Sequence, residues 1–205
     1  MKNGEQVQSN TANPQRMDIG KGTGDSVAFY ESSVCFQRFD RAWLKVTGKD
    51  RTTWLHNLTT NAIKTLQPGE GNYAFCLNTQ GRILFDLNAI MLEDSLAIDL
   101  DRAFLPNALK HFNKYIIMED VVVADVSSNY DRVAIVGPKS SEVLSRLGVS
   151  QANAQPLLQR FRLSIGASGD EAFGFRTDFC GPFAVEFVIP KSDRDAFDQL
   201  LRSAG

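Results

Sequence analysis

The stretch YAFCLNTQGRILFDL, residues 73–87, carries the reading of the fold and of the chemistry together. Tyr73, Phe75 and Leu77 alternate with their neighbours, Asn78-Thr79-Gln80-Gly81 supplies turn chemistry, and Ile83, Leu84, Phe85 and Leu87 resume an apolar run. The pattern predicts a β-hairpin. Its second arm holds a lone carboxylate, Asp86, with two readings open to it. The acid either lies on the solvated face of a half-exposed sheet or points into a pocket, where desolvation and a bound cation would tune it.

Upstream of the hairpin, residues 42–46 (AWLKV) read as a strand ended by Gly48, after which Asp50 can cap a short helix carrying Trp54, Leu55 and Leu58. Thr59-Thr60-Asn61 closes that helix, and Pro68-Gly69 marks the turn into the hairpin. Downstream, a strand over 96–100 leads to a helix with Leu105, Leu109, Phe112 and Ile116 at helical spacing, then to a strand over 121–126. The second half repeats the alternation. A strand over 132–136 precedes a helix that opens near Pro138, carries Val143, Leu144 and Leu147, and closes at Gly148. Strands over 161–165, 172–177 and 183–189 follow, and Ser192 with Asp195 resembles a capping pair for a last helix bearing Phe197, Leu200 and Leu201. The expected class is α+β: antiparallel or mixed sheets with helices packed on one face, in paired units sharing a layered core.

Residues 1–26 are rich in Asn, Gln, Gly, Ser and Thr and read as a disordered tail, with order beginning near Val27 in a cluster of Phe29, Tyr30, Val34, Cys35, Phe36 and Phe39. The remaining chain divides into a first half over 27–126 and a second over 127–205. A total of 205 residues with 43% hydrophobic content can bury a sizeable core. With 22 basic against 24 acidic side chains, a broad electrostatic footprint for nucleic acid or anionic membrane is not expected. Cys35, Cys76 and Cys180 are odd in number, far apart and without metal-ligand spacing, which fits reduced thiols in the cytoplasm. No apolar run is long enough to span a bilayer. Walker, dinucleotide-binding, nucleophile-elbow and His-rich metal motifs are all missing, so no metal is expected. Neither His56 nor His111 receives a role.

The polar groups at strand ends, Thr60, Asn61, Tyr73, Asn78, Asp86, Asp99 and Glu186, fall in a longer pattern: LKVTGKDRTTWLHNLTTNAIKTLQPGEGNYAFCLNTQGRILFDL, KYIIMEDVVVADVS, RVAIVGPKSSEVLSRLG and RTDFCGPFAVEFVIP. This pattern resembles the folate-binding domain of glycine-cleavage T-protein aminomethyltransferases, and most of all its YgfZ-type branch. It covers nearly everything after the tail. The resemblance implies an aminomethyltransferase folate-binding fold built from ferredoxin-like units, and tetrahydrofolate as the bound molecule. In the aminomethyltransferases the strand matching Ile83 to Leu87 carries an acidic doublet, one member being the catalytic acid; here the doublet reads Phe85-Asp86. The resemblance therefore offers Asp86 as the catalytic candidate. It offers Glu186 as the carboxylate that takes two parallel hydrogen bonds from the amino-pyrimidine edge of the pterin. Asp99 falls where the family has an Asn that helps hold folate, and Asn61 lies in a Thr-Asn-Asp step that here reads Thr60-Asn61-Ala62. Tyr73 and Asn78 fit an aromatic wall and an amide at the pocket mouth, while core packing and turn formation explain them equally well.

YgfZ-type proteins continue with a reactive-cysteine loop and a C-terminal β-barrel that this sequence lacks, and Cys180 does not match that loop. Apolar surface left by the lacking part is expected to meet a protein partner or a second copy. The resemblance implies a folate-binding accessory role in iron-sulphur cluster maintenance and tRNA modification, without direct nucleic-acid binding by the fold. The alternatives are a folate-dependent one-carbon transferase using Asp86, or a non-catalytic interaction scaffold.

Overall fold

The computed structural model describes residues 32–165, 172–181 and 184–204. The tail over 1–26, together with Val27, Phe29, Tyr30 and Phe183, lies outside the described residues. Among the described residues the order is β1 (Val34–Gln37), β2 (Arg41–Thr47), α1 (Arg51–Leu58), β3 (Gly71–Leu77), β4 (Ile83–Met91), β5 (Leu96–Asp101), α2 (Leu105–Lys114), β6 (Val122–Asp125), β7 (Tyr130–Val136), α3 (Ser140–Arg146), β8 (Arg160–Arg162), β9 (Phe173–Thr177), β10 (Ala184–Pro190) and α4 (Arg194–Ser203). Two five-stranded sheets result, ordered β3-β4-β5-β2-β6 and β1-β7-β10-β9-β8. The strand pairs within both are antiparallel. The α+β class holds.

Strand side chains alternate faces, and this parity builds the layers. In the first sheet Ala42, Leu44, Val46, Leu87, Ile98 and Leu100 pack with Trp54 and Leu55 of α1 and with Ala108 and Phe112 of α2. In the second sheet Val133, Ile135, Val185, Phe187 and Ile189 pack with Leu144 of α3 and Phe197 of α4. Each sheet thus carries helices on its outer face. The inner faces meet each other: Trp43, Ile90 and Ala97 of the first sheet contact Phe173, Phe175 and Val188 of the second, with Leu158. The intervening strand residues of the same parity include Arg41, Asp86, Asn88, Asp99, Arg132 and Glu186. Polar side chains therefore share the inter-sheet layer with a small apolar cluster.

The hairpin forms as expected. Its arms pair Tyr73 with Asn88 and Phe75 with Asp86, and a bulge interrupts the ladder between Cys76 and Leu77. Asn78 holds the turn, its Oδ1 accepting from the backbone N–H groups of Gln80 and Arg82 at 2.9 Å each.

Several expectations are corrected. Strand β1 pairs with β7, so the first strand completes the second sheet and not the first half assigned to 27–126. The reason is apolar matching, since Val34 and Phe36 pack on Ala134, Val136 and Ala184. Asp50 stands at the N-terminus of α1 without capping it; its Oδ2 accepts from the Asp120 N–H at 2.9 Å, tying the helix to the loop before β6. The Ser192 and Asp195 pair does not cap either, because a short 3-10 turn over Lys191–Asp193 places Asp193 at the start of α4 with no side-chain hydrogen bond to it. Pro138 precedes α3 instead of opening it. Strand β8 ends at Arg162, short of the expected Ile165.

Candidate functional site

A cavity of about 530 Å³ opens where the two sheets face each other. The first half lines it with Tyr73, Asp86 and Asn88; the second contributes Thr177, Asp178, Phe179 and Glu186; Arg38 and Arg41 also border it. Leu158, in the left-handed region at φ 61°, closes one wall. Such a conformation is costly for a branched residue and persists only where the surroundings fix it. Here the Leu158 N–H is held by the Arg176 carbonyl at 2.9 Å.

Tyr73 and Asp86 sit on neighbouring antiparallel strands, and the Tyr73 hydroxyl donates to Asp86 Oδ2 at 2.9 Å. The acid therefore lines the cavity and not the helix-covered core. Asn88 donates through Nδ2 to Asp99 Oδ2 at 2.9 Å, an orientation that leaves its carbonyl oxygen for a ligand. Thr177 Oγ1 is buried without a hydrogen-bond partner among the described residues. A hydroxyl of that kind calls for one.

Behind this wall runs an ionic network joining the sheets. Arg132 is buried and donates to both Asp99 Oδ1, at 2.6 Å, and Glu186 Oε2, at 2.7 Å. Arg41 grips Asp99 in two hydrogen bonds of 3.1 and 2.7 Å. Arg38 donates to Glu186 Oε1 at 2.9 Å and to both oxygens of Asp40. Burial alone would raise the Asp99 carboxyl, but Arg132 and Arg41 outweigh it and bring the pKa down to about 2. Burial raises the Glu186 carboxyl against the pull of Arg132 and Arg38, and the neighbouring Asp99 charge adds to the rise.

These shifts set an acid dependence. A folded-state pKa below the unfolded value of about 4 means that Asp99 contributes stability in full above that pH. The contribution is lost as pH falls through about 2. Glu186, shifted upward, acts in the opposite sense and stabilises more once protonated. Urea unfolding between about pH 5 and pH 2 is expected to show the Asp99-dependent loss, and Asp99→Asn to flatten it. An unchanged slope in that variant would count against the assignment.

The structure separates the sequence candidates. Tyr73, Asp86 and Glu186 border the cavity. Asp99 lies beneath it, fully buried, with Arg41, Arg132 and Asn88 on its oxygens; from there it positions Arg41 and Asn88. Asn61 is turned to the backbone, its Nδ2 donating to the Tyr73 carbonyl at 2.9 Å and its Oδ1 accepting from the Ala62 N–H. Together with Thr60, whose hydroxyl accepts from the Phe75 N–H, it covers the free edge of β3. Asn78 is a turn residue, as one of its two readings has it. Arg38, Arg41, Asn88 and Thr177 were missed. The signal was strand parity, since Arg41 and Asn88 occupy inward positions of apolar strands.

The fold is thus an α+β pair of antiparallel sheets with a polar cavity between them. The family model described as GCVT N-terminal domain matches residues 34–205, and the chain belongs to that family. It is 29% identical over 174 residues to the aminomethyltransferase of Oceanobacillus iheyensis, covering 79% of this chain and 45% of that protein. It is 27% identical over 177 residues to the sarcosine oxidase subunit alpha of Corynebacterium sp., covering 83% of this chain and 18% of that one. Among solved structures, the glycine cleavage system aminomethyltransferase T from Bartonella henselae superposes with a TM-score of 0.73 at 19% identity, over 85% of this chain and 46% of that one. The chain thus spans less than half the length of these relatives.

Proposed function

We propose that the inter-sheet cavity binds tetrahydrofolate and that the protein is a cytoplasmic folate-binding accessory factor of the YgfZ type, serving iron-sulphur cluster maintenance and tRNA modification. The observation that carries the binding role is the cavity itself. Its volume of about 530 Å³ lies within the range of small-molecule sites. Tyr73 and Phe179 offer aromatic walls, and Asn88, Thr177 and Glu186 offer polar groups suited to a ring with alternating donors and acceptors. The resemblance of the sequence to the YgfZ type supports the accessory assignment, as does the replacement of one acid of the doublet by Phe85. That side chain is buried beside Phe112 in the helix-facing core, where it cannot reach a ligand.

Isothermal titration calorimetry tests the reading. Tetrahydrofolate is expected to bind, and Glu186→Gln to weaken it by about tenfold or more, the scale of one charge-assisted hydrogen bond. Equal affinities, or no binding by either chain, would sink the proposal. Because Glu186 also belongs to the inter-sheet network, thermal unfolding of the variant has to accompany the titration.

A second reading, a one-carbon transferase, is favoured by one observation: Asp86 faces the cavity with Oδ2 taken by Tyr73 and no partner on Oδ1 among the described residues. That oxygen could hold or deliver a proton at a folate nitrogen. Asp86→Asn decides between the two. In an accessory protein it leaves folate affinity within about threefold, the effect of a peripheral hydrogen bond, and no aminomethyl transfer is seen in either chain. Transfer by the wild type that is abolished in Asp86→Asn would establish the enzyme instead.

A further inference from the structure

Both oxygens of Glu186 are held by arginines, and the two arginines are not equivalent. Arg132 is 4% exposed and is also committed to Asp99, so its departure would take one ion pair from each of two buried carboxylates. Arg38 is different. Its Nη1 takes Glu186 Oε1 at 2.9 Å, while Nε and Nη2 are paired with Asp40 at 2.8 and 2.7 Å. Asp40 is 55% exposed and free to follow a moving side chain. The guanidinium also lies 4.1 Å from the ring centre of Phe179, and both residues border the cavity.

We infer that Arg38 is a displaceable latch on the binding site, its guanidinium occupying on Glu186 Oε1 the place that a planar N–C–N donor edge of the ligand takes on binding. The inference rests on the folate reading above. Toward Glu186 Arg38 presents one N–H, from Nη1, and the 2-amino-4-oxo edge of a pterin presents a donor of the same kind, an N–H on a nitrogen of an N–C–N unit. Either satisfies the same carboxylate. On release Arg38 keeps its paired hydrogen bonds to Asp40, so the exchange strands no charge. Arg132 stays on Oε2 and keeps Glu186 in position. The latch therefore selects by chemistry, admitting a 2-aminopteridine and refusing a 2-oxopteridine of the same shape, whose 2-oxo oxygen sets an acceptor against the carboxylate where the amino donor would lie.

Fluorescence titration with 6-methylpterin and 6-methyllumazine on the whole chain tests this. Arg38→Met keeps the aliphatic stem on Phe179 and removes the competing donors. It is expected to tighten pterin binding about tenfold, one charge-assisted hydrogen bond of competition, and to leave lumazine unchanged. Asp40→Asn has the opposite sign: Arg38 loses its second partner, holds Glu186 more firmly, and pterin binding weakens about threefold. If Arg38→Met leaves pterin affinity unchanged, weakens it, or tightens both pteridines alike, the latch is overturned while a binding wild type keeps the folate reading. If neither wild type nor Arg38→Met binds pterin, both fall. Should Arg38→Met fail to fold, the Asp40→Asn result decides, since unchanged or tighter binding there contradicts the latch.

Discussion

Arg132→Ala is expected to lower the free energy of unfolding by about 3–5 kcal/mol, the usual cost of removing one partner from a buried ion pair. Four contacts converge on this side chain. Its guanidinium joins Asp99 of β5 to Glu186 of β10, and it lies 5.1 Å from the Trp43 ring centre and 5.4 Å from that of Phe175. Truncation leaves Asp99 with Arg41 and Glu186 with Arg38, both at the rim, and opens space between two aromatic rings of opposite sheets. Urea denaturation measures the loss. The double variant Arg132→Met with Glu186→Gln should recover part of it, because Asp99 keeps Arg41, Arg38 keeps Asp40, and the volume is kept. A loss below about 1 kcal/mol for the single variant, the level of an exposed pair, would show that the network does not hold the sheets together.

Gly48→Ala is expected to cost about 3–5 kcal/mol, combining left-handed strain with overpacking. Gly48 follows β2 with φ at 99°, and a Cβ placed on it would lie 1.9 Å from the Asp120 carbonyl oxygen. The segment cannot shift easily. The Asp50 N–H donates to that same carbonyl, Asp50 Oδ2 accepts from the Asp120 N–H, and Arg51 Nη1 donates to the Gly48 carbonyl at 2.8 Å. Gly81→Ala supplies the control. Its φ of 75° carries the same kind of strain, yet nothing stands within 4 Å of the added Cβ, so a loss of only about 1 kcal/mol is expected. Thermal unfolding of the two variants side by side separates strain from collision; equal losses would refute the packing argument.

Much of the architecture was legible because local rules carried it. Alternation in 73–87, the Asn78 turn and the helical spacing of Leu105, Leu109 and Phe112 each depend on neighbours a few residues away. What failed locally was competition for polar groups. Asp50 caps a helix in principle, but the Asp120 N–H, 70 residues on, claims its oxygen. Asn61 carries the polar amide of a ligand contact and spends it on the Tyr73 carbonyl instead.

The sequence by itself determined the α+β class, the hairpin that carries Tyr73 and Asp86, and, through the family pattern, the choice of Asp86 and Glu186 as the carboxylates to examine. Only the tertiary structure decided what those carboxylates meet. Glu186 pairs with Arg38 across 148 positions and with Arg132 across 54, and Asp99 with Arg41 across 58. Periodicity gives the face on which a side chain stands; it does not give which strand of the other sheet lies opposite. That depends on how two separately formed sheets align, with β1 crossing to complete the second. The alignment is set by burial of Trp43, Phe173 and Phe175 and by the demand that buried charges be paired.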